Sequence, residues 1–300
     1  MTYHLALAGS TKKTLQVAQT LLLDTRFEIT LIITPQSKPV GRQQVLTENP
    51  VHQFAQKNNL ATVLVDGKIN QATREKIEQN FIRQPFDFLL VVDFGYLIPQ
   101  WLLNLPKISP LNIHPSRLPR WRGSSPGQFA LLNGDSKSAV TLMVMSKTMD
   151  EGPVIAQLLF AIKPTWTQTE YYQHAFNLIC QQLGDLIEQF AKGELKAKPQ
   201  PTSSPTPVAK RLIKQDSFYD WSVIKQAIEN GIQAVELERA CRAFYPWPKL
   251  WTKVPTNQGE KRLIIHSCRL NRDDRLVLDK VQLEGKNKVS WSEIKPNIKA

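Results

Sequence analysis

At 300 residues the chain exceeds what one ordinary hydrophobic core organises and suits two domains, and 42% hydrophobic residues suffice to bury real cores. No run approaches the roughly 18 to 20 apolar residues of a membrane span, "MTYHLALAGS" enters an apolar strand with no basic leader, and "VSWSEIKPNIKA" carries no lipidation signal, so a soluble cytoplasmic protein is expected. The formal charge of +12 favours a polyanionic partner, or merely reflects a basic cytosol or a solvated basic face, and is unevenly spread, residues 208–300 holding 18 Lys/Arg against 11 Asp/Glu, a net of +7.

In chain order, residues 3–8 ("YHLALA") read as a strand, 12–23 ("KKTLQVAQTLLL") as a helix and 27–33 ("FEITLII") as a second strand. The alternation continues with strands at 61–65, 86–92 and 111–114 and a polar helix at 71–80. Strands that are apolar on both faces and separated by helices predict an α/β fold with a parallel, doubly wound, Rossmann-like sheet. Such sheets bind ligands at the carboxyl ends of their strands, and "LNIH" ends at such a position. Two more strand-like runs within 138–157 flank a loop holding Asp150, Glu151, Gly152 and Pro153.

A long helical pattern over 169–193 follows, and then "ELKAKPQPTSSPTPVAKR". With Pro199, Pro201, Pro205 and Pro207 that stretch is excluded from helix interiors and central strands and reads as an extended linker. The expected division is a catalytic domain at 1–192, a linker at 193–207 and a basic C-terminal domain at 208–300. Within the last, a short helical region precedes strands at 250–254, 262–270 and 275–283. Several short strands in a small basic domain predict an oligonucleotide-binding β-barrel, with the rings of Phe244, Trp247 and Trp251 in its core. Cys180, Cys241 and Cys268 are scattered without CxxC spacing, so reduced structural thiols and no zinc are expected.

Asn112 and His114 stand two apart on a strand and point to one face. A carboxamide beside an imidazole suits an acyl carbonyl, the amide stabilising a developing oxyanion and the imidazole handling the proton. The plainer reading is a satisfied polar pair at a strand end. A loop carboxylate such as Asp150 could reach His114, raise its proton affinity and fix its orientation, although taken alone it reads as a turn residue.

Asn112, His114 and Asp150, together with "SRLP" at 116–119 and "RWRGSSPGQFALLNGD" after it, resemble the transformylase family that uses 10-formyltetrahydrofolate. "SKPVGRQQVLTENPVHQFA" (37–55), "VAKRLIKQDSFYDW" (208–221), "RAFYPWPKLWTKV" (242–254) and "KVQLEGKNKVSW" (280–291) are similar to its methionyl-tRNA formyltransferase branch. That branch joins a Rossmann-like catalytic domain to an oligonucleotide-binding barrel. The resemblance implies that the α-amine of initiator methionyl-tRNA attacks the formyl carbon, with Asn112 on the oxyanion and the His114–Asp150 pair assisting formation and collapse of the intermediate. It implies Ser116, Arg117, Leu118 and Pro119 as the folate-contacting turn, and Val92, Gly95, Tyr96 and Leu97 in "VVDFGYLIP" as the pterin wall. No metal is implied, because an N-acyl aniline is already an activated donor, and the expected form is a monomer.

By the same resemblance, Lys38 and Arg42, in a loop that alone reads as a solvated turn, become contacts to the tRNA acceptor end; Lys210, Arg211 and Lys214 open the basic domain and are expected to track phosphates, the plainer reading being a flank of the linker. Three departures stand out: "AGSTKKTLQ" lacks the Pro and aromatic residue after the first strand, Arg117 replaces an apolar residue, and the stretch from Trp221 to Arg242 is longer. The alternatives are an N-formyltransferase acting on an amino sugar or other small amine, and a catalytically silent RNA-binding module. The first has no need of a basic C-terminal domain, and the second would be free to lose the trio.

Overall fold

The computed structural model describes residues 2–40 and 45–298, without the side chains of 38–40, 45, 46 and 297. Arg42 therefore lies outside the described residues, and of Lys38 only the backbone is described. Contacts divide the chain into two compact units, one formed by Met1–Arg122, Ala139–Phe160 and Gln173–Pro207, the other by Gly123–Ser138, Ala161–Tyr172 and Val208–Ala300.

The chain opens with β1 (Tyr3–Gly9), α1 (Lys12–Leu23), β2 (Phe27–Pro35), the short antiparallel pair β3 (Lys38–Val40) and β4 (Val45–Thr47), and α2 (Pro50–Lys57). There follow β5 (Thr62–Val65), α3 (Gln71–Arg83), β6 (Phe88–Val92), α4 (Gln100–Leu103), β7 (Ser109–His114), α5 (Pro126–Asn133), β8 (Lys137–Val144), β9 (Val154–Ala161), α6 (Gln168–Cys180) and α7 (Leu183–Ala191). One sheet takes the order β5-β2-β1-β6-β7-β8-β9. The first five are parallel, but β7 and β8 run antiparallel, with Asn112 opposite Met143 and His114 opposite Thr141. The sheet is thus mixed and not wholly parallel as expected. Residues 138–143 are buried on both faces, as in a parallel strand, and such a pattern carries no information on direction.

β1 is flanked by β2 on one side and β6 on the other, so the sheet's connections leave in opposite senses there and open a crevice at the carboxyl ends. The backbone at that point is packed to contact. A Cβ on Gly9 would lie 2.3 Å from the carbonyl oxygen of Val92, which already accepts a 2.6 Å hydrogen bond from the Thr14 hydroxyl. The sheet core is fully buried at Leu5, Leu7, Ile32, Phe88 and Leu90.

In the second unit, α8 (Trp221–Asn230) and α9 (Ala234–Phe244) precede β10 (Leu250–Thr256), β11 (Gly259–Leu270), β12 (Leu276–Leu283), β13 (Lys288–Ser290) and α10 (Trp291–Ile294). The four strands form an antiparallel sheet in sequence order. The expected barrel is not closed: among the described residues β10 and β13 do not pair, and beyond its ladder with β11, β10 meets only single bridges from Phe218 and Ile298. The helices supply the reason. Ile224, Leu237, Ala240 and Phe244 share one core with Leu250, Val254, Leu263, Ile265 and Leu278, so the apolar face of the sheet is covered without closure. Phe244 is in this core as expected, but Trp247 is half exposed, and Trp251 lies against Phe218 with its indole N–H donated to the carbonyl of Lys214. The longer stretch from Trp221 to Arg242 is spent on α8 and α9.

Among the described residues, no helix is long and apolar enough to cross a membrane. Because the crevice at Gly9 has no room for a methyl group, Gly9→Ala is expected to lower the urea midpoint by the equivalent of about 1 to 3 kcal/mol, as overpacking does. An unchanged midpoint would show that β1 and β6 separate without cost.

Candidate active site

The site is built where β6 and β7 end side by side. The Asn112 side chain donates its Nδ2 to the carbonyl of Val91 on β6 at 3.0 Å, and because that carbonyl only accepts, the amide orientation is fixed. Its Oδ1 is buried and, among the described residues, without a hydrogen-bond partner. A buried carbonyl in that state is disfavoured by about 1 to 3 kcal/mol unless a ligand brings a donor.

His114, two residues on, is 5% exposed. Its Nε2 lies 3.0 Å from the carbonyl oxygen of Trp121, so Nε2 carries the proton and donates it. Nδ1 is thereby turned toward the Asp150 carboxylate, 3.6 Å away, a distance of ion pairing and not of a direct hydrogen bond. A proton on Nδ1 would make the ring a cation facing this carboxylate. Asp150 itself adopts φ = 57°, a left-handed conformation that Asp tolerates better than most residues. Two residues later, a Cβ on Gly152 would lie 1.9 Å from the carbonyl oxygen of Val144, so only glycine allows the loop to fold back on β8 this tightly.

The turn after β7 is held by hydrogen bonds from remote parts of the chain. Ser116 is fully buried, its hydroxyl donating to the carbonyl of Arg120 at 2.7 Å and its own carbonyl accepting from the Thr141 hydroxyl at 2.6 Å. Gln157 donates to the carbonyl of Leu118 at 2.8 Å, Ser204 to that of Pro119 at 2.8 Å, and the Trp121 amide donates to the Thr206 hydroxyl at 2.9 Å. The Leu118–Pro119 bond is cis. Of the four turn residues singled out from sequence, Ser116 and Leu118 are buried within the turn, Pro119 is half-buried, and Arg117 is exposed. Val92 is buried at the end of β6, Gly95 (φ = 79°) and Leu97 are exposed, and Tyr96 packs edge-on against Phe94 at 5.3 Å.

Asn112, His114 and Asp150 are therefore brought together on one unit, with Ser116 to Pro119 following directly. Sequence reasoning missed Trp121, whose carbonyl selects the histidine tautomer, and the support given by Thr141, Gln157, Ser204 and Thr206. Their one-dimensional signals are ordinary: a Trp in a basic turn, strand polar residues and a Ser/Thr/Pro stretch. Lys210, Arg211 and Lys214 are exposed on the second unit, where Lys210 pairs with Asp216 at 2.5 Å. That ammonium group and the amide of Ile213 hold the Asp216 carboxyl below its ordinary pKa. Thr141→Val keeps the shape of the turn but strands the buried carbonyl of Ser116. Its expected effect is a loss of about 1 to 3 kcal/mol in urea unfolding, and no loss would mean that this carbonyl finds another donor.

Residues 5–179 match the formyl transferase family. Similar solved structures include HypX from Aquifex aeolicus in complex with tetrahydrofolic acid, at 15% identity and a TM-score of 0.60. That match takes in 97% of this chain but 46% of HypX, so the chain spans about half its length. An N-formyltransferase from Helicobacter canadensis, in complex with folinic acid and dTDP-3-aminofucose, matches at 16% identity and TM-score 0.61 over 90% of this chain and 88% of its own. Methionyl-tRNA formyltransferase from Clostridium thermocellum matches at 14% identity and TM-score 0.57 over 94% of this chain and 98% of its own. At these identities the structures show a common fold, while the sequence match over more than half of the chain shows kinship: the chain belongs to the formyl transferase family.

Proposed function

We propose that the protein transfers the formyl group of 10-formyltetrahydrofolate to the α-amine of initiator methionyl-tRNA. Two of the structural neighbours carry tetrahydrofolic or folinic acid, which supports a folate donor. In this reading the neutral amine attacks the formyl carbon, and a C–N bond forms as the carbonyl becomes an oxyanion. The unpartnered Oδ1 of Asn112 accepts an N–H of the incoming amine, and the Nδ2 hydrogen not donated to Val91 stabilises the oxyanion. The His114–Asp150 pair holds the proton balance of the site, so that the amine's proton reaches the anilinic nitrogen of the folate as the old C–N bond breaks. The products are an N-formylated amine and tetrahydrofolate. The turn at Ser116 to Pro119 and the loop at Val92 to Leu97 are assigned to the folate. Asn112 carries the assignment, since its buried acceptor has no partner among the described residues.

The acceptor is inferred from charge. Residues 208–300 carry +7, and Arg211 and Lys214 are exposed with no ion pair among the described residues. An amino sugar has no use for such a surface, whereas a tRNA backbone does. The deciding assay incubates the full chain and 10-formyltetrahydrofolate with methionyl initiator tRNA or with a nucleotide-linked amino sugar. Formylmethionine on the tRNA is expected, and formylation of the sugar alone would overturn the reading.

Asn112→Ala and His114→Ala are each expected to lower turnover by about 100- to 1000-fold with folding retained. Turnover near that of the unchanged protein in either variant would remove the mechanism. Arg211→Glu and Lys214→Glu should weaken tRNA binding and flatten its salt dependence, each lost phosphate contact taking about 0.7 to 0.9 from the log-log slope. Titrations at several salt concentrations check this, and an unchanged slope would assign the charge to a merely solvated face.

A further inference from the structure

We infer that Gln200, in the proline-rich stretch after the catalytic elements, is a positioning residue for Asp150. The inference rests on the reading above, in which Asp150 pairs with His114. All the groups concerned belong to the first unit.

The carboxamide of Gln200 is used in full. Its Nε2 donates to the carbonyl of Asp150 and to that of Gly152, both at 2.8 Å. Its Oε1 accepts from Nε and Nη2 of Arg122 at 3.1 and 3.0 Å. Arg122 is 7% exposed and also donates to the carbonyl of Pro201 at 2.9 Å and pairs with Glu151 at 3.3 Å. A guanidinium only donates, so it can face only the oxygen of the amide, and the NH2 group must then face the loop. Arg122 thus sets the orientation of Gln200, and Gln200 sets the position of two carbonyls that bracket the residue after Asp150.

Asp150 stands in a left-handed conformation with its carboxylate 3.6 Å from His114, on a loop that has no helix or strand of its own between β8 and β9. A rotation of the Asp150 peptide would carry the carboxylate away from the imidazole, and the two hydrogen bonds from Gln200 oppose that rotation directly. Misplacement of a catalytic group by about 1 Å commonly costs on the order of 100-fold in rate. No hydrogen bond joins Gln200 to the trio's own side chains among the described residues, so its contribution passes through the loop.

Gln200→Glu isolates the claim. The carboxylate still accepts from Arg122, which preserves the buried arginine's partner, but it presents an acceptor to two carbonyls where the amide presented donors. In the full chain the variant should fold normally and exchange its loop amides at 148–152 faster, while amides of β1 and β6 keep their protection. Formyl transfer should slow by roughly 10- to 100-fold with the KM for 10-formyltetrahydrofolate unchanged. In a double-mutant cycle with Asp150→Asn, the second change should add less than about a twofold loss, because both act on one pair.

Unchanged loop exchange, or a loss that multiplies with that of Asp150→Asn, would overturn the inference. If loop exchange rises as expected but Asp150→Asn itself leaves formyl transfer unaffected, the failure lies with the role given to Asp150 and not with the contact made by Gln200.

Discussion

The donation of His114 Nε2 to the carbonyl of Trp121 is the interaction on which the site's geometry depends. It commits one ring nitrogen to the protein and so turns the other toward the Asp150 carboxylate, 3.6 Å away. Trp121, which supplies the carbonyl, is buried in a left-handed conformation with its amide N–H donated to Thr206. Asn112 depends on the same strand end but is fixed across the sheet, by Val91 of the neighbouring β6.

Neutral hydrogen bonds, more than ion pairs, assemble this region. Thr141 and Gln157 reach it from β8 and β9, Ser204 and Thr206 from the proline-rich stretch before residue 208, and each satisfies a backbone group of the turn. The buried exception is Arg122, whose charge is shared among Gln200, Pro201 and Glu151. Burying a guanidinium is tolerable only with such partners, and removing them would leave an uncompensated charge. Beside these satisfied groups of the turn, Asn112 Oδ1 is a buried acceptor with no hydrogen-bond partner among the described residues.

The second unit solves a different problem. Its sheet is apolar on one face only, as the alternation of buried and exposed residues along Leu250–Thr256 shows, and α8 and α9 cover that face. Covering by helices removes the drive toward closure that a small sheet otherwise has. The outer surface is then free to carry charge, and the unbalanced basic residues of 208–300 are accommodated there without burial.

Much of this organisation was legible in the amino-acid sequence. Strands that are apolar on both faces and alternate with amphipathic stretches are enough to indicate the α/β layers, and the helix at Lys12–Leu23 coincides with its reading. Spacing alone put Asn112 and His114 on one face of a strand that ends in a crevice, and the motif resemblance pointed to the family that residues 5–179 match. What tertiary structure decided are the facts that spacing cannot encode: the antiparallel turn of β8, the open form of the C-terminal sheet, and the partners of His114. Local patterns report which faces are apolar, whereas strand direction and sheet closure depend on what else packs there, and a tautomer depends on the carbonyl of a residue seven positions away whose amide N–H is held by a hydroxyl 85 residues further on. The carboxamide that grips the Asp150 loop lies 50 residues from it, in a segment whose prolines advertise only the absence of helix, because hydrogen-bond partners of long sequence separation exist only once the chain has folded.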